Sequence, residues 1–330
     1  MNKRAQPIDK KGNSNTAKIP VGISACLMGE KVRYDAQHKR SNYCKETLAQ
    51  YFDFQPFCPE MAIGLGAPRP TIRLIAQPDG LRAIQSTETP RDVTDELASY
   101  ADTVHSSNPL LCGFVFTEKS PSCGLFRVRA YNDKGQPFSD SARGIFARRL
   151  TELWPQLPVE ESGRLNDADL CENFILRVHV WHEWHTSVFP SLTARSLLGF
   201  WSSYKYLVLA HDEKTYRLIG PMLANLAVDN LPKLATDFFS LLMHALEKPS
   251  TRASNGNALQ HLRGFVKNSL DDAEKNTLNT LLEQYRDGVV PLIVPLSMLR
   301  HLLARHPDTY ANEQRFLNPY PDALGLRNKK

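Results

Sequence analysis

The feature that most restricts the fold of this chain is a change of periodicity near Asn166. Before it, short apolar runs alternate with segments of helical period; beyond it only the helical period remains. The first part predicts strands over residues 21–25, 54–57, 71–77, 81–85, 110–116 and 125–131, and helices over 43–52, 94–106 and 139–154. Pro78-Asp79-Gly80 marks the third and fourth strands as a hairpin, and Thr94 reads as the N-cap of the helix that follows. Strands separated by helices need crossover connections, so the expected class is α/β: a three-layer, Rossmann-like domain with a mainly parallel sheet. An all-α domain should follow, with amphipathic helices over 167–184, 192–210, 213–226, 232–246, 259–267, 273–286 and 291–305. Residues 1–18 are polar and rich in Asn, Lys and Ser, too poor in apolar surface to offset chain entropy, and read as a flexible tail. The expected division is a tail over 1–18, an α/β domain over 19–187 and a helical domain over 188–330.

No apolar run approaches the ~20 residues of a membrane-crossing helix, and the first residues lack the apolar segment of a signal peptide. A cytoplasmic location is expected, with neither membrane nor DNA as a partner. Six cysteines in 330 residues are no disulfide framework, so in a reducing compartment some should be thiols or metal ligands. The net charge of +5 is compatible with a polyanionic partner without demanding one.

Three of the cysteines close apolar runs in small-residue or proline turns: Ser24-Ala25-Cys26, Phe57-Cys58-Pro59-Glu60 and Ser120-Pro121-Ser122-Cys123-Gly124. Cys26 and Cys58 fall at the carboxyl ends of expected strands and Cys123 in the loop after another, the edge where open α/β sheets place their sites. Three thiolates leave one coordination position for water or substrate. Their wide spacing is unlike the close pairs of a zinc ribbon or the close runs of ferredoxins. A cube-shaped iron-sulfur cluster with one open iron is therefore favoured over zinc or plain buried thiols. Glu60 and Ser120 stand within a turn of a cysteine, as a candidate general base and a candidate holder of water, although a helix cap and a turn former are their ordinary roles. Arg33, Tyr34, Asp35, His38 and Lys39 form a polar loop after Cys26, and Arg69, between two prolines, is a candidate anion anchor. With Ser24, residues Arg33, Tyr34, Asp35, His38 and Arg69 make up the expected substrate-contacting set. His179, His182, His185 and Glu183 lack the His-Glu-x-x-His order and have Trp181 and Trp184 among them, so packing is favoured there over metal binding. Cys44, Cys112 and Cys171 read as small apolar residues.

Four linked motifs resemble the thiouracil desulfidase (TudS) family over roughly residues 19–185. They are Ser24-Ala25-Cys26-Leu27-Met28-Gly29 with Val32-Arg33-Tyr34-Asp35; Cys58-Pro59-Glu60 with Pro68-Arg69-Pro70; Ser120-Pro121-Ser122-Cys123-Gly124; and Gly163-Arg164-Leu165 with Glu172-Asn173-Phe174. Segments 200–205, 207–211 and 216–220 resemble the helical domain fused to it in two-domain, RudS or YbgA-type relatives. The resemblance implies a [4Fe-4S] cluster on Cys26, Cys58 and Cys123 whose fourth iron takes the substrate sulfur, with Glu60 and Ser120 as the acid/base pair. It further implies non-redox, hydrolytic conversion of 2-thiouridine in tRNA, at a site such as the wobble position, to uridine with release of hydrogen sulfide, the helical domain presenting the RNA. Two other readings stay open: a desulfidase of free thiouracil or thionucleotides, and an iron-sulfur or zinc RNA-binding or sensor protein without catalysis.

Overall fold

A computed structural model describes residues 18–224 and 230–328. The expected tail lies outside the described residues except for Lys18, and so does the expected end of the 213–226 helix. In chain order the strands are β1 (Ile19–Ser24), β2 (Phe52–Phe57), β3 (Ile72–Gln77), β4 (Gly80–Gln85), β5 (Phe114–Phe116), β6 (Val128–Tyr131), β7 (Pro137–Ala142) and β8 (Val159–Glu161). The helices of the first part are α1 (Pro59–Ala62), α2 (Thr94–Ser107), α3 (Ile145–Leu153) and α4 (Ala168–Glu183).

The strands form two sheets. One has four strands, all parallel, in the order β2-β1-β5-β8. Val21, Ile23, Phe114, Val115 and Phe116 are all fully buried, because the central strands β1 and β5 are covered on both faces and read as apolar runs, whereas the edge strands β2 and β8 carry polar residues. On one face Phe146 of α3 meets Phe114 and Phe116; on the other Val178 of α4 closes over Gly113. The strand that follows β1 in this sheet lies on one side of it and the next on the other, so the order reverses between β1 and β5. The cleft outside the carboxyl ends at such a reversal is the natural site of an open α/β sheet.

The second sheet, β4-β3-β6-β7, is mixed: β3 runs parallel to β6, while the β3-β4 and β6-β7 pairs are antiparallel. Residues 139–142, expected to open a helix, belong instead to β7, an edge strand exposed along most of its length and so without an alternation to read. The helix starts only at Ile145. The strands expected over 110–116 and 125–131 shorten to β5 and β6, the three-residue β8 is too short to show a pattern in the sequence, and the helix expected over 43–52 is a π turn and a 3-10 turn before β2. Thr94 lies inside α2 rather than capping it; its hydroxyl accepts the Ala83 N–H at 2.7 Å and joins the helix to β4.

Helices α5 (Ala194–His211), α6 (Glu213–Ala224), α7 (Leu231–Ala245), α8 (Arg252–Val266), α9 (Asp272–Arg286), α10 (Ile293–Arg305) and α11 (Thr309–Asn312) follow. Thr193, Thr251 and Asp271 cap α5, α8 and α9 in reciprocal capping boxes, and the Thr251 cap starts α8 well before the expected residue 259. The Trp/His stripe at the end of α4 and in the turn after it packs: Trp184 stacks on Phe239 of α7 at 4.6 Å, with Trp181 beside it at 5.6 Å. Glu172 of α4 accepts hydrogen bonds from Tyr320 Oη (2.7 Å) and Arg327 Nε (2.8 Å), and Asn173 Nδ2 donates to Leu246 O (2.8 Å). One large hydrophobic core joins residues of the α/β part, from Ile19 onward, to residues of the helical part as far as Tyr320, while a smaller one, with Leu74, Ala83, Leu97 and Ala130, lies against the mixed sheet. Among the described residues, no helix is long and apolar enough to cross a membrane.

Candidate active site

Each of the three cysteines follows a strand of the parallel sheet. After β1 a 3-10 turn, Ala25–Met28, carries Cys26 and closes on Gly29, whose φ of 94° suits glycine. After β2 the extended Cys58 precedes α1, with Pro59 in its first turn and Glu60 beside it. Beyond β5 comes the Ser-Pro-Ser-Cys turn, seated on the start of α3. The N–H groups of Ile145 and Ala147 donate to Pro121 O (3.0 Å) and Ser122 O (3.1 Å), and Gly144 N–H donates to Gly124 O (2.7 Å). These carbonyls satisfy helix N–H groups that otherwise lack partners. The approach is so close that a Cβ on Gly144 would lie 2.5 Å from the Ser122 backbone.

Cys26, Cys58 and Cys123 line one cavity of about 330 Å³, together with Ser24, Arg33, Tyr34, Glu60, Arg69 and Ser120. Asp35 and His38 do not line it; Lys39, Thr117, Glu118 and Lys119 do. All six cysteines are free thiols. Burial pushes the Cys58 thiol up to about 11, and the nearby Glu60 and Cys26 charges add to this. Cys26 is also raised by burial, against the hydrogen bond from Thr117 and the charges of Arg33 and Lys39. Cys123 is raised well above its ordinary value, by burial and then by Cys58, Glu60 and Cys26. Three buried, mutually repelling thiolates lack sufficient counter-charge, and a soft metal centre is the chemistry that would hold them ionised. Among the described residues no three His, Cys, Asp or Glu groups converge on a single ion. The thiols instead stand on three loops around one cavity, as a polynuclear cluster with one thiolate per iron requires, so the donor set fits such a cluster.

Glu60 is fixed at both oxygens. Its Oε2 accepts from Arg69 Nε (2.8 Å) and Nη2 (2.6 Å), and its Oε1 from Ser122 Oγ (2.8 Å). Arg69 also donates to Val32 O (2.8 Å) and Gly66 O (2.5 Å), while its main-chain N–H holds Tyr34 O (2.8 Å). The free anion anchor expected at Arg69 is thus a buried guanidinium committed to protein groups. Ser122, fully buried, is a site residue whose only signal in the sequence is a second hydroxyl in a Ser-Pro-Ser turn. Ser120 and Glu60 share the cavity without a hydrogen bond between them. Ser120 Oγ accepts the N–H groups of Ser122 (3.2 Å) and Cys123 (3.0 Å). Both lone pairs are then engaged, and the hydroxyl proton is what Ser120 can still offer.

Lys39 pairs with Glu118 at 2.6 Å, and Ser162 Oγ donates to Glu118 Oε2 at 3.0 Å. Burial pushes the Glu118 carboxyl up, but these hydrogen bonds and the Lys39 charge outweigh it and hold the group below its ordinary value. At the rim, Arg33 lies over the exposed Tyr34 ring at 5.7 Å, and the exposed Lys119 has no ionic partner among the described residues.

A doubly covered parallel sheet with a thiol-lined cleft at its strand-order reversal defines an α/β protein built for soft-ligand chemistry. Residues 21–162 match the family described as 2-thiouracil desulfurase, and residues 205–321 match a protein of unknown function (DUF1722). The chain is 30% identical over 158 residues, 48% of its own length and 94% of the relative's, to the uncharacterized protein YbgA of Escherichia coli (strain K12). It is also 30% identical to a solved structure, the [4Fe-4S]-dependent thiouracil desulfidase TudS, over 47% of this chain and 98% of that one, with a TM-score of 0.36. The chain thus belongs to one family with YbgA, and joins a region that matches 2-thiouracil desulfurases to a helical region that matches the protein of unknown function.

Proposed function

We propose that this protein is a [4Fe-4S]-dependent, non-redox desulfidase that converts 2-thiouridine in tRNA to uridine. The observation that carries the reading is the convergence of three buried thiols, Glu60 and Ser120 on one cavity at the reversal of the parallel sheet. With Cys26, Cys58 and Cys123 as its ligands, the cluster would supply a soft Lewis acid with one iron free of protein ligands, selective for thiocarbonyl sulfur over carbonyl oxygen. Glu60, fixed at both oxygens, accepts a proton from the water that attacks the ring carbon. Ser120, limited to donating, supplies a hydrogen bond toward the reacting group. The net reaction exchanges C=S and water for C=O and hydrogen sulfide, with no electrons transferred.

Several features support a polynucleotide substrate. A cavity of about 330 Å³ that would hold the cluster as well leaves room for little more than a single heterocycle, so a base within RNA must leave its stack to enter. The exposed Tyr34 offers it a ring to stack on, and at the rim Lys119, with Arg33 beside it in a 3.7 Å pair with Asp35, favours attached phosphates. The family description favours a second substrate, the free base. The test incubates the anaerobically reconstituted protein with thiolated tRNA and, separately, with 2-thiouracil. Nucleoside mass spectrometry and sulfide release follow the reaction. Faster, salt-sensitive turnover on tRNA is expected; preference for 2-thiouracil without salt-sensitive tRNA binding overturns the tRNA reading.

A further inference from the structure

We propose that Arg69 and Ser122 are positioning residues that hold the Glu60 carboxylate in its working orientation, a proposal that rests on Glu60 acting as the base. A carboxylate's terminal torsion is broad, so an unrestrained glutamate would sample many orientations over the cavity. Here two donors from different loops converge on it. Arg69, from the Pro-Arg-Pro segment, grips Oε2 with two nitrogens, and Ser122, from the turn after β5, grips Oε1. Arg69 is 8% exposed and Ser122 fully buried, so neither contact competes with bulk water. Ser122 is not among the cavity-lining residues, which places it behind Glu60.

Both residues also reach the rest of the site. The Arg69 fork binds the Val32 carbonyl, the atom that Cys58 Sγ approaches at 3.9 Å, and so sets the carboxylate relative to one thiol. The main-chain N–H of Ser122 donates to Ser120 Oγ while its side chain donates to Glu60, so one residue spaces the two candidate acid/base groups. A lysine at position 69 would keep the charge and lose the fork.

The test uses the full chain with its cluster reconstituted, on whichever of thiolated tRNA and 2-thiouracil turns over. Ser122→Ala and Arg69→Lys are expected to lower kcat by about 10- to 100-fold, the scale of an ångström-level misplacement, with KM within about twofold of the original. Iron content and visible absorbance should stay unchanged. In a Glu60→Gln background, followed by prolonged incubation, adding Ser122→Ala should cost nothing more, because a residue acting through Glu60 has no effect once Glu60 is gone. Unchanged kcat in Ser122→Ala, a loss confined to KM, or multiplying losses in the double variant overturns the proposal. An Arg69→Lys protein without iron would mean that Arg69 builds the cluster site, overturning its half and leaving Ser122→Ala to decide the other. Full activity in Glu60→Gln would remove Glu60 from the chemistry and this proposal with it, an outcome distinct from Glu60→Gln being inactive while both positioning variants turn over normally.

Discussion

Around the cavity, what separates one side chain from the next is direction more than type. Ser120 and Ser122 stand two apart in one turn, yet the first lines the cavity and the second lies behind Glu60. The sequence displays two serines flanking a proline and nothing that says which faces inward, which is why only Ser120 was singled out. The three cysteines were legible because Cys26 and Cys58 directly follow strands and Cys123 lies in the loop after another, and that edge is where the fold gathers residues distant in sequence. Arg69 was legible as a charge between prolines, but its partner, Glu60, is a contact between loops that no spacing reveals. Replacing any one of Cys26, Cys58 or Cys123 by alanine should remove a thiolate and sharply lower bound iron and visible absorbance after reconstitution. Ser120→Ala should retain iron and lose most turnover, since it removes the hydroxyl proton that faces the cavity; full turnover in that variant would exclude Ser120 from the reaction.

At the level of the element, the turn that carries Cys123 and helix α3 are mutually dependent. Because Gly144 lies against the Ser122 backbone, Gly144→Ala forces a displacement of main chain, and a loss of about 1–3 kcal/mol is expected in denaturant unfolding. Helix α4 carries a different kind of sensitivity. His179 Nε2 is buried without a hydrogen-bond partner, and burial, with smaller pushes from His182 and Arg315, lowers its pKa to about 4. The unfolded chain titrates near 6.5, so between about 6.5 and 4 it binds a proton that the folded state refuses. Stability should therefore be full above that window and fall as pH decreases through it. Thermal melts should show His179→Leu with a shallower decline, and an unchanged pH slope would exclude His179 as a source. The long amphipathic helices were readable from period alone. The short pieces, β7 and β8 and the turns over 43–50, were not, because three to six residues at an edge or a strand end carry no period, and their structure comes from neighbours.

Across the whole molecule, the Glu172-Asn173-Phe174 motif, which accompanies the cysteine motifs in the sequence, serves a joint rather than the cavity. Glu172 receives Tyr320 and Arg327 from the end of the described chain, and Asn173 holds the carbonyl after α7. Glu172→Ala would leave the Arg327 guanidinium, 7% exposed, without its carboxylate, and breaking a buried pair in this way costs about 3–5 kcal/mol. A lower melting temperature with unchanged iron loading of the surviving folded protein is the expected result; a melting temperature within a degree of the original would show the pair to be dispensable. The alternation of strands and helices gave the order of the two parts. It could not reveal that they share a core, because a helix buried against another helix has the same period as one buried against a sheet. That shared core has a practical corollary. A fragment of the α/β part cut near residue 187 would lay bare Trp181 and Trp184, which now lean on Phe239, and should aggregate rather than fold as an independent unit. The helical half is best regarded as part of what makes the α/β half foldable.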